Sequence, residues 1–78
     1  MGSSVTLTKL KVKLLEAQQD YGLRQYEIAA ACRIHPSTLS EYALGKNGYT
    51  DKHLRSLCNY FECSEEDLVG TLLFDFPE

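Results

Sequence analysis

Apolar residues recur at helical spacing in the first part of the chain. One stripe consists of Leu7, Leu10, Leu14, Ala17 and Tyr21. Residues three and four positions apart share one face of a helix, so this stripe predicts an amphipathic helix from about Thr8 to Tyr21. Gly22 follows directly, and glycine tolerates the positive φ at which helices commonly end. The lysines around the stripe, which we interpret as a solvated face, are Lys9, Lys11 and Lys13.

Two shorter helices are predicted next. The second helix is expected to begin at about Gln25, and residues 33–35 are interpreted as a tight connection. Pro36 suits the first position of a third helix, because its fixed φ is helical and its missing N–H is not needed there. Gly45 is expected to end that helix. The inward-facing residues of the pair are predicted to be Ile28, Ala29, Cys32, Leu39 and Tyr42.

The last part of the chain predicts two further helices and a tail. Thr50 is a good N-cap for a fourth helix, and Ser64, followed by three acidic residues, is a good N-cap for a fifth. Residues 71–76 are apolar without a clear helical or strand period. The apolar stripe of the fourth helix is Leu54, Leu57, Cys58 and Phe61.

These elements predict one all-α domain in a chain of 78 residues. We expect an N-terminal leader at 1–6, a helical domain at 7–69 that contains no sheet, and an acidic and apolar tail at 70–78. The predicted buried residues are Ile28, Ala29, Ile34, Leu39, Tyr42, Leu54, Leu57 and Phe61.

Charge is distributed unevenly. Residues 1–61 contain all eight Lys and Arg residues and five acidic ones, a net charge of +3. Residues 62–78 contain six acidic residues and no Lys or Arg, a net charge of −6, which gives the overall −3. A basic body favours contact with a polyanion, and the alternative is that both sets of charges are only solvated faces.

Several function classes find no support in the sequence. Cys32, Cys58 and Cys63 are an odd number, which suits free buried thiols better than a disulfide framework. Together with His35 and His53 they could suggest a metal cluster, but the spacings Cys32-x2-His35 and Cys58-x4-Cys63 are too loose for a zinc site, so we predict no metal and no cofactor. No catalytic motif or phosphate-binding glycine loop is present, which predicts a protein that is not an enzyme. No signal peptide or membrane-spanning run is found, so we expect a cytoplasmic protein without membrane contact.

Two short helices joined by about three residues are typical of a helix-turn-helix. Ala29 provides the small residue that is needed where the two helices cross. Segments 23–29 (LRQYEIA), 34–45 and 54–68 resemble the lambda-repressor-like (Cro/repressor-type) helix-turn-helix DNA-binding family, and the resemblance covers about residues 7–69. It implies a five-helix domain whose third helix enters the major groove of double-stranded DNA, and a homodimer on a two-fold operator.

The resemblance also implies roles for individual residues. Gln25 matches a family glutamine that holds a DNA phosphate. The residues expected to face the bases are Pro36, Ser37, Ser40, Glu41 and Leu44. Those expected to contact phosphates are Gln25, Arg24, Arg33, Lys46, Asn47 and Tyr49.

The chain departs from the family pattern at four positions. Arg33 and Glu62 stand where the family usually has glycine, after the second and fourth helices. Gln18 and Ala43 stand where many members pair an arginine with a glutamate.

The sequence therefore predicts a sequence-specific DNA-binding transcriptional regulator, of repressor type as the resemblance implies, and leaves one alternative. That alternative is a protein-interaction helix-turn-helix module, such as an antitoxin, an anti-repressor or a phage accessory protein, with weak or no DNA binding and a protein partner at the acidic tail. For the tail residues Leu72, Leu73, Phe74 and Phe76, two roles stay open. They could pair two chains across a two-fold axis or complete the core of one chain.

Overall fold

The computed structural model describes residues 3–76, and the side chains of 4–75. The described residues leave out two positions of the predicted leader, Met1 and Gly2, and two of the predicted tail, Pro77 and Glu78. Along the chain the elements are β1 (Ser3–Thr8), α1 (Lys9–Tyr21), α2 (Gln25–Cys32), α3 (Pro36–Leu44), α4 (Asp51–Phe61), a 3-10 turn (Glu65–Asp67) and β2 (Thr71–Phe76).

Local capping explains where the α-helices begin and end. The Thr8 hydroxyl accepts the Lys11 N–H at 3.0 Å, and the Thr50 hydroxyl accepts the His53 N–H at 3.3 Å. Gly45 ends α3 with a φ of 74°. The prediction of at least four helices is confirmed, with α1 beginning one residue after the predicted start.

The core lies where α1, α2, α3 and α4 meet. Its largest fully buried side chains are Leu10, Ile28, Leu39, Leu57 and Leu68. Of the eight residues predicted to be buried, Leu54 and Phe61 are only partly covered, and they pack against the edge of the core. The stripe of apolar residues identifies the inner face of α4 from the sequence alone. The buried fraction of each side chain in the stripe depends on the tertiary contacts that the other elements make with it.

The prediction of a five-helix, all-α domain is wrong in two respects. The fifth helix is a 3-10 turn of three residues, capped reciprocally by Ser64 and Asp67. It stops there because Gly70 turns the chain with a φ of 105° and β2 begins at Thr71. In addition, β1 and β2 form a two-stranded antiparallel sheet, which includes Leu7 and Thr8 of the region predicted to have no sheet.

This two-stranded sheet, the terminal ribbon, has one apolar and one largely polar face. Residues directly opposite each other in antiparallel strands share a face. Val5 pairs with Phe74 and Leu7 with Leu72, which gives an apolar face. The opposite face contains the pairs Ser4 with Asp75, Thr6 with Leu73 and Thr8 with Thr71.

The base of the ribbon is fixed to the helices by hydrogen bonds. The Lys9 N–H donates to the Gly70 carbonyl at 3.0 Å, and the Lys9 Nζ donates to the Glu66 carbonyl at 2.9 Å. The Thr8 hydroxyl donates to the Ala43 carbonyl, near the end of α3, at 2.6 Å. The ribbon is thus held against both α1 and α3.

Candidate nucleic-acid interface

The centre of the candidate interface is the pair α2 and α3. Arg33 joins them in the left-handed conformation, with φ 57° and ψ 41°, where the sequence predicted a tight connection. The Ile34 N–H donates to the Ala29 carbonyl at 2.9 Å and closes the turn. Ile28, Ala29 and Leu39 are fully buried in the angle between the helices. These contacts form a helix-turn-helix.

The outward face of α3 contains the residues predicted to meet the bases. Leu39, Tyr42 and Ala43 are buried on the inner face. The opposite face contains Pro36, Ser37 and Leu44, which are exposed, and Ser40 and Glu41, which are half-buried. Leu44, near the end of the helix, is 60% exposed.

The sequence analysis did not identify His35, which is the N-cap of α3. Its Nδ1 accepts the Ser37 N–H at 3.2 Å and lies 2.7 Å from the Ser37 hydroxyl. A backbone N–H can only donate, so Nδ1 is the unprotonated nitrogen of the neutral ring and Nε2 bears the proton. His35 is exposed, so this tautomer leaves an outward N–H donor at the start of α3. The signal in the sequence is a histidine directly before the proline that begins the helix.

The first turn of α2 is a second part of the candidate interface. Arg24 is its N-cap residue and is exposed, while Gln25 is half-buried at the first helical position. The first N–H groups of a helix have no partner within the helix, and together with the helix dipole they favour an anion such as phosphate. The predicted phosphate residues Arg24 and Gln25 therefore lie where the backbone also attracts phosphate.

The loop after α3 connects a predicted base-facing residue with a predicted phosphate residue. The Asn47 side-chain amide donates to the Glu41 carboxylate, and the Lys46 N–H donates to the Glu41 carbonyl at 3.0 Å. Lys46 and Asn47 are both exposed. The amide contact holds the Glu41 carboxylate toward the loop and leaves its second oxygen free of that bond.

Tyr49 and Arg33 lie in different surroundings from the other predicted phosphate residues. The Tyr49 ring packs on Tyr42 with 4.7 Å between ring centroids, and its hydroxyl donates to the Leu68 carbonyl at 3.5 Å. Burial raises the pKa of Tyr49 to about 12, with smaller contributions from Tyr42 and Cys58. Arg33 lines a cavity of about 370 Å³ beside α4, together with Ser56, Asn59 and Tyr60.

The tail residues predicted to pair two chains lie on both faces of the terminal ribbon. Leu72 and Phe74 belong to the apolar face, and Leu72 is 40% exposed. Leu73 points to the opposite face and is 65% exposed. The side chain of Phe76 lies outside the described residues. In the described part of the tail, no side chain belongs to the buried core.

Comparison with known proteins agrees with this geometry. Residues 14–68, well over half of the chain, match the helix-turn-helix family model HTH_3. The chain therefore belongs to this family, which is of the lambda-repressor/Cro type, as the sequence predicted. Membership makes it a helix-turn-helix regulator that binds DNA, in a family that is not typically enzymatic.

Searches of curated proteins and of solved structures each gave no significant match. Within residues 3–76, no helix is long and apolar enough to cross a membrane.

Proposed function

We propose that the chain is a sequence-specific transcriptional regulator of repressor type that binds double-stranded DNA as a homodimer. The observation that carries this proposal is the outward face of α3. It is a solvent-accessible surface of hydroxyl, carboxylate and apolar groups on a helix whose other face is locked into the core. A helix presented in this way fits the major groove.

The side chains on this face have direct partners among the bases. The Ser37 and Ser40 hydroxyls can donate or accept, and the free oxygen of the Glu41 carboxylate accepts from the N4 amino group of cytosine. Leu44 offers apolar contact to a thymine methyl group. We include the His35 Nε2–H as a further donor, because the bond from Ser37 to Nδ1 already fixes the ring.

Phosphate contacts position the helix in the groove without reading sequence. We assign this role to Gln25 and Arg24 at the start of α2 and to Lys46 and Asn47 in the loop after α3. Arg33 completes the set of direct contacts, and Tyr49 has an indirect role. Tyr49 contributes through its packing on Tyr42, which shapes the loop after α3.

The terminal ribbon is our candidate for the dimer interface. A two-stranded ribbon is only marginally stable in water. Two ribbons that pack around a two-fold axis bring four strands together, and the apolar face of each ribbon covers that of the other. The described residues of the apolar face, Val5, Leu7, Leu72 and Phe74, are uncharged, so a second copy meets this face without burying a charge. Half-sites about one DNA turn apart require a dimer whose two α3 helices match that spacing, and pairing through the ribbon is our candidate for the contact that sets it.

A DNA-binding experiment tests the assignments. We expect Gln25→Ala and Lys46→Ala to weaken binding to all duplexes alike, and Lys46→Ala to lower the salt slope by about one unit. Lys13→Ala is the matched control on α1 and should leave that slope unchanged. Ser37→Ala and Glu41→Gln should instead change the preferred base sequence. The groove assignment is contradicted if all four interface variants bind like the parent.

The dimer is tested separately by sedimentation. Val5→Asp places a charge on the apolar face and should give a helical monomer, whereas Leu73→Asp, on the other face, should leave the dimer intact. Removal of residues 71–78 should also dissociate the dimer. Equal loss of dimer in both aspartate variants would argue against a face-specific interface, and a deletion variant that stays dimeric would exclude the ribbon.

One observation favours a protein-interaction module as the second candidate function. The apolar face of the terminal ribbon is partly exposed, with Val5 at 43%, and the neighbouring 3-10 turn consists of three acidic residues. Together they would suit a partner with an apolar groove and a basic rim. A chain that is monomeric, binds no duplex at low salt, and has a folded helix-turn-helix would support this alternative over the regulator.

A further inference from the structure

Two cysteines lie side by side at the end of α4. Cys58 is in the last turns of the helix, and Glu62 reverses the chain in the left-handed conformation with φ 53° and ψ 51°. The Cys63 N–H then donates to the Cys58 carbonyl at 3.0 Å. This hydrogen bond closes the helix end and brings residue 63 back beside residue 58.

The two thiols are close to each other and accessible. The residue after a left-handed helix end commonly packs on the residue whose carbonyl accepts its N–H, which puts the Cys63 side chain against that of Cys58. Both residues are half-buried at the edge of the core. Cys32 differs from them. It is 5% exposed, and its thiol faces the Ser56 carbonyl at 3.9 Å. The expectation of buried thiols thus holds for Cys32, whereas Cys58 and Cys63 can be reached by a small oxidant.

We propose that Cys58 and Cys63 form a redox modification site, in which a hydroperoxide converts the paired thiols into a reversible intramolecular disulfide. The proposal is independent of DNA binding. It requires small adjustments only, because residues on the two sides of a closed helix end already have their backbones in hydrogen-bond contact.

The chemistry assigns a different role to each sulfur. Burial, Cys63 and the carboxylates of Glu65 and Asp67 raise the pKa of Cys58, which disfavours its thiolate form. We therefore assign the first step to Cys63. Its thiolate attacks the peroxide oxygen, the O–O bond breaks, and the leaving oxygen takes a proton, which gives a sulfenic acid.

In the second step the Cys58 sulfur attacks the sulfenic sulfur. The S–S bond forms, the S–O bond breaks, and the oxygen leaves as water with the proton from Cys58. In total, two thiols are oxidised and one hydrogen peroxide is reduced to two waters. A thiol reductant reverses the change.

Mass mapping of the folded full chain tests the proposal. The protein is treated with hydrogen peroxide, free thiols are blocked with an alkylating reagent, and the chain is cleaved after Lys and Arg. Residues 56–78 form one fragment containing Cys58 and Cys63, while Cys32 is in fragment 25–33. We expect fragment 56–78 to lose the mass of two hydrogens and to take up no alkyl group. This result should be the same in the parent and in Cys32→Ser. Dithiothreitol should restore two alkylatable thiols.

Two single variants and one control make the result decisive. Cys58→Ser and Cys63→Ser should each lose the internal disulfide and proceed to over-oxidised or intermolecular products. As a control, the urea-unfolded chain is treated with the same dose of hydrogen peroxide, which shows that this dose is enough to oxidise the two thiols when the fold does not protect them. The proposal is overturned if both thiols of the folded chain stay alkylatable at that dose, or if the disulfide that forms includes Cys32.

Discussion

Substitution of Thr8 is the sharpest test of how the structure is held together. Its hydroxyl accepts the Lys11 N–H at 3.0 Å, which caps α1, and donates to the Ala43 carbonyl at 2.6 Å. Thr8→Val keeps the β-branched shape and removes both bonds. Loss of an N-cap costs about 1 kcal/mol. Loss of the second bond costs about 0.5–1.5 kcal/mol, because the carbonyl of the buried residue Ala43 keeps no donor from Thr8.

The expected destabilisation is therefore about 2 kcal/mol, measured by urea unfolding with circular dichroism of the helices. With a slope of about 1 kcal/mol per molar urea, typical of a small domain, the midpoint should fall by about 2 M. Thr8→Ser is the matched control, since it retains the hydroxyl and removes only the methyl group beside Gly45. A midpoint unchanged in Thr8→Val, or lowered equally in Thr8→Ser, would refute this account of the two hydrogen bonds.

Three further predictions concern stability. Leu39→Ala removes a fully buried side chain and should cost about 2–5 kcal/mol in urea unfolding, and a value below about 1 kcal/mol would contradict its place in the core. Arg33→Gly relieves a left-handed arginine with φ 57° and should raise stability by about 1 kcal/mol, whereas Arg33→Lys should not. The pKa of Tyr49 is raised from its ordinary value of 10 to about 12, because the folded state favours the neutral hydroxyl. The contribution of this hydroxyl to the free energy of unfolding is therefore complete below pH 10 and is lost between pH 10 and pH 12. Tyr49→Phe should unfold with a weaker pH dependence in that window, and identical profiles would argue against a buried hydroxyl.

The helices could be predicted from the sequence because their boundaries are local. Pro36, Gly45 and Thr50 act on the one or two turns beside them, so short-range chemistry is enough to place α3 and the start of α4. The terminal ribbon could not be predicted in this way. Residues 4–8 alternate polar and apolar side chains, which is a strand period, but Thr8 pairs with Thr71, and no local feature of β1 identifies a partner so far along the chain.

The candidate interface was predictable to a similar extent. The helical period of α3 identifies its outward residues without knowledge of the rest of the fold. Tyr49 was expected at the phosphate backbone, but its packing on Tyr42 depends on tertiary contacts between the loop and α3. His35 was missed because residues with side-chain oxygens are the usual N-caps, and an imidazole nitrogen accepts the same N–H only in one tautomer.

The hydrogen bond between Thr8 and Ala43 connects the two surfaces proposed for function. Ala43 is in α3, and Thr8 is the last residue of β1, so this bond joins the ribbon to α3. In a dimer paired through the ribbon, the separation of the two α3 helices would depend on this junction. DNA fixes the half-site spacing, so a loosened junction would weaken binding to a two-fold operator more than binding to a single half-site. Thr8→Val should therefore reduce discrimination between these two duplexes even at temperatures where the chain remains folded.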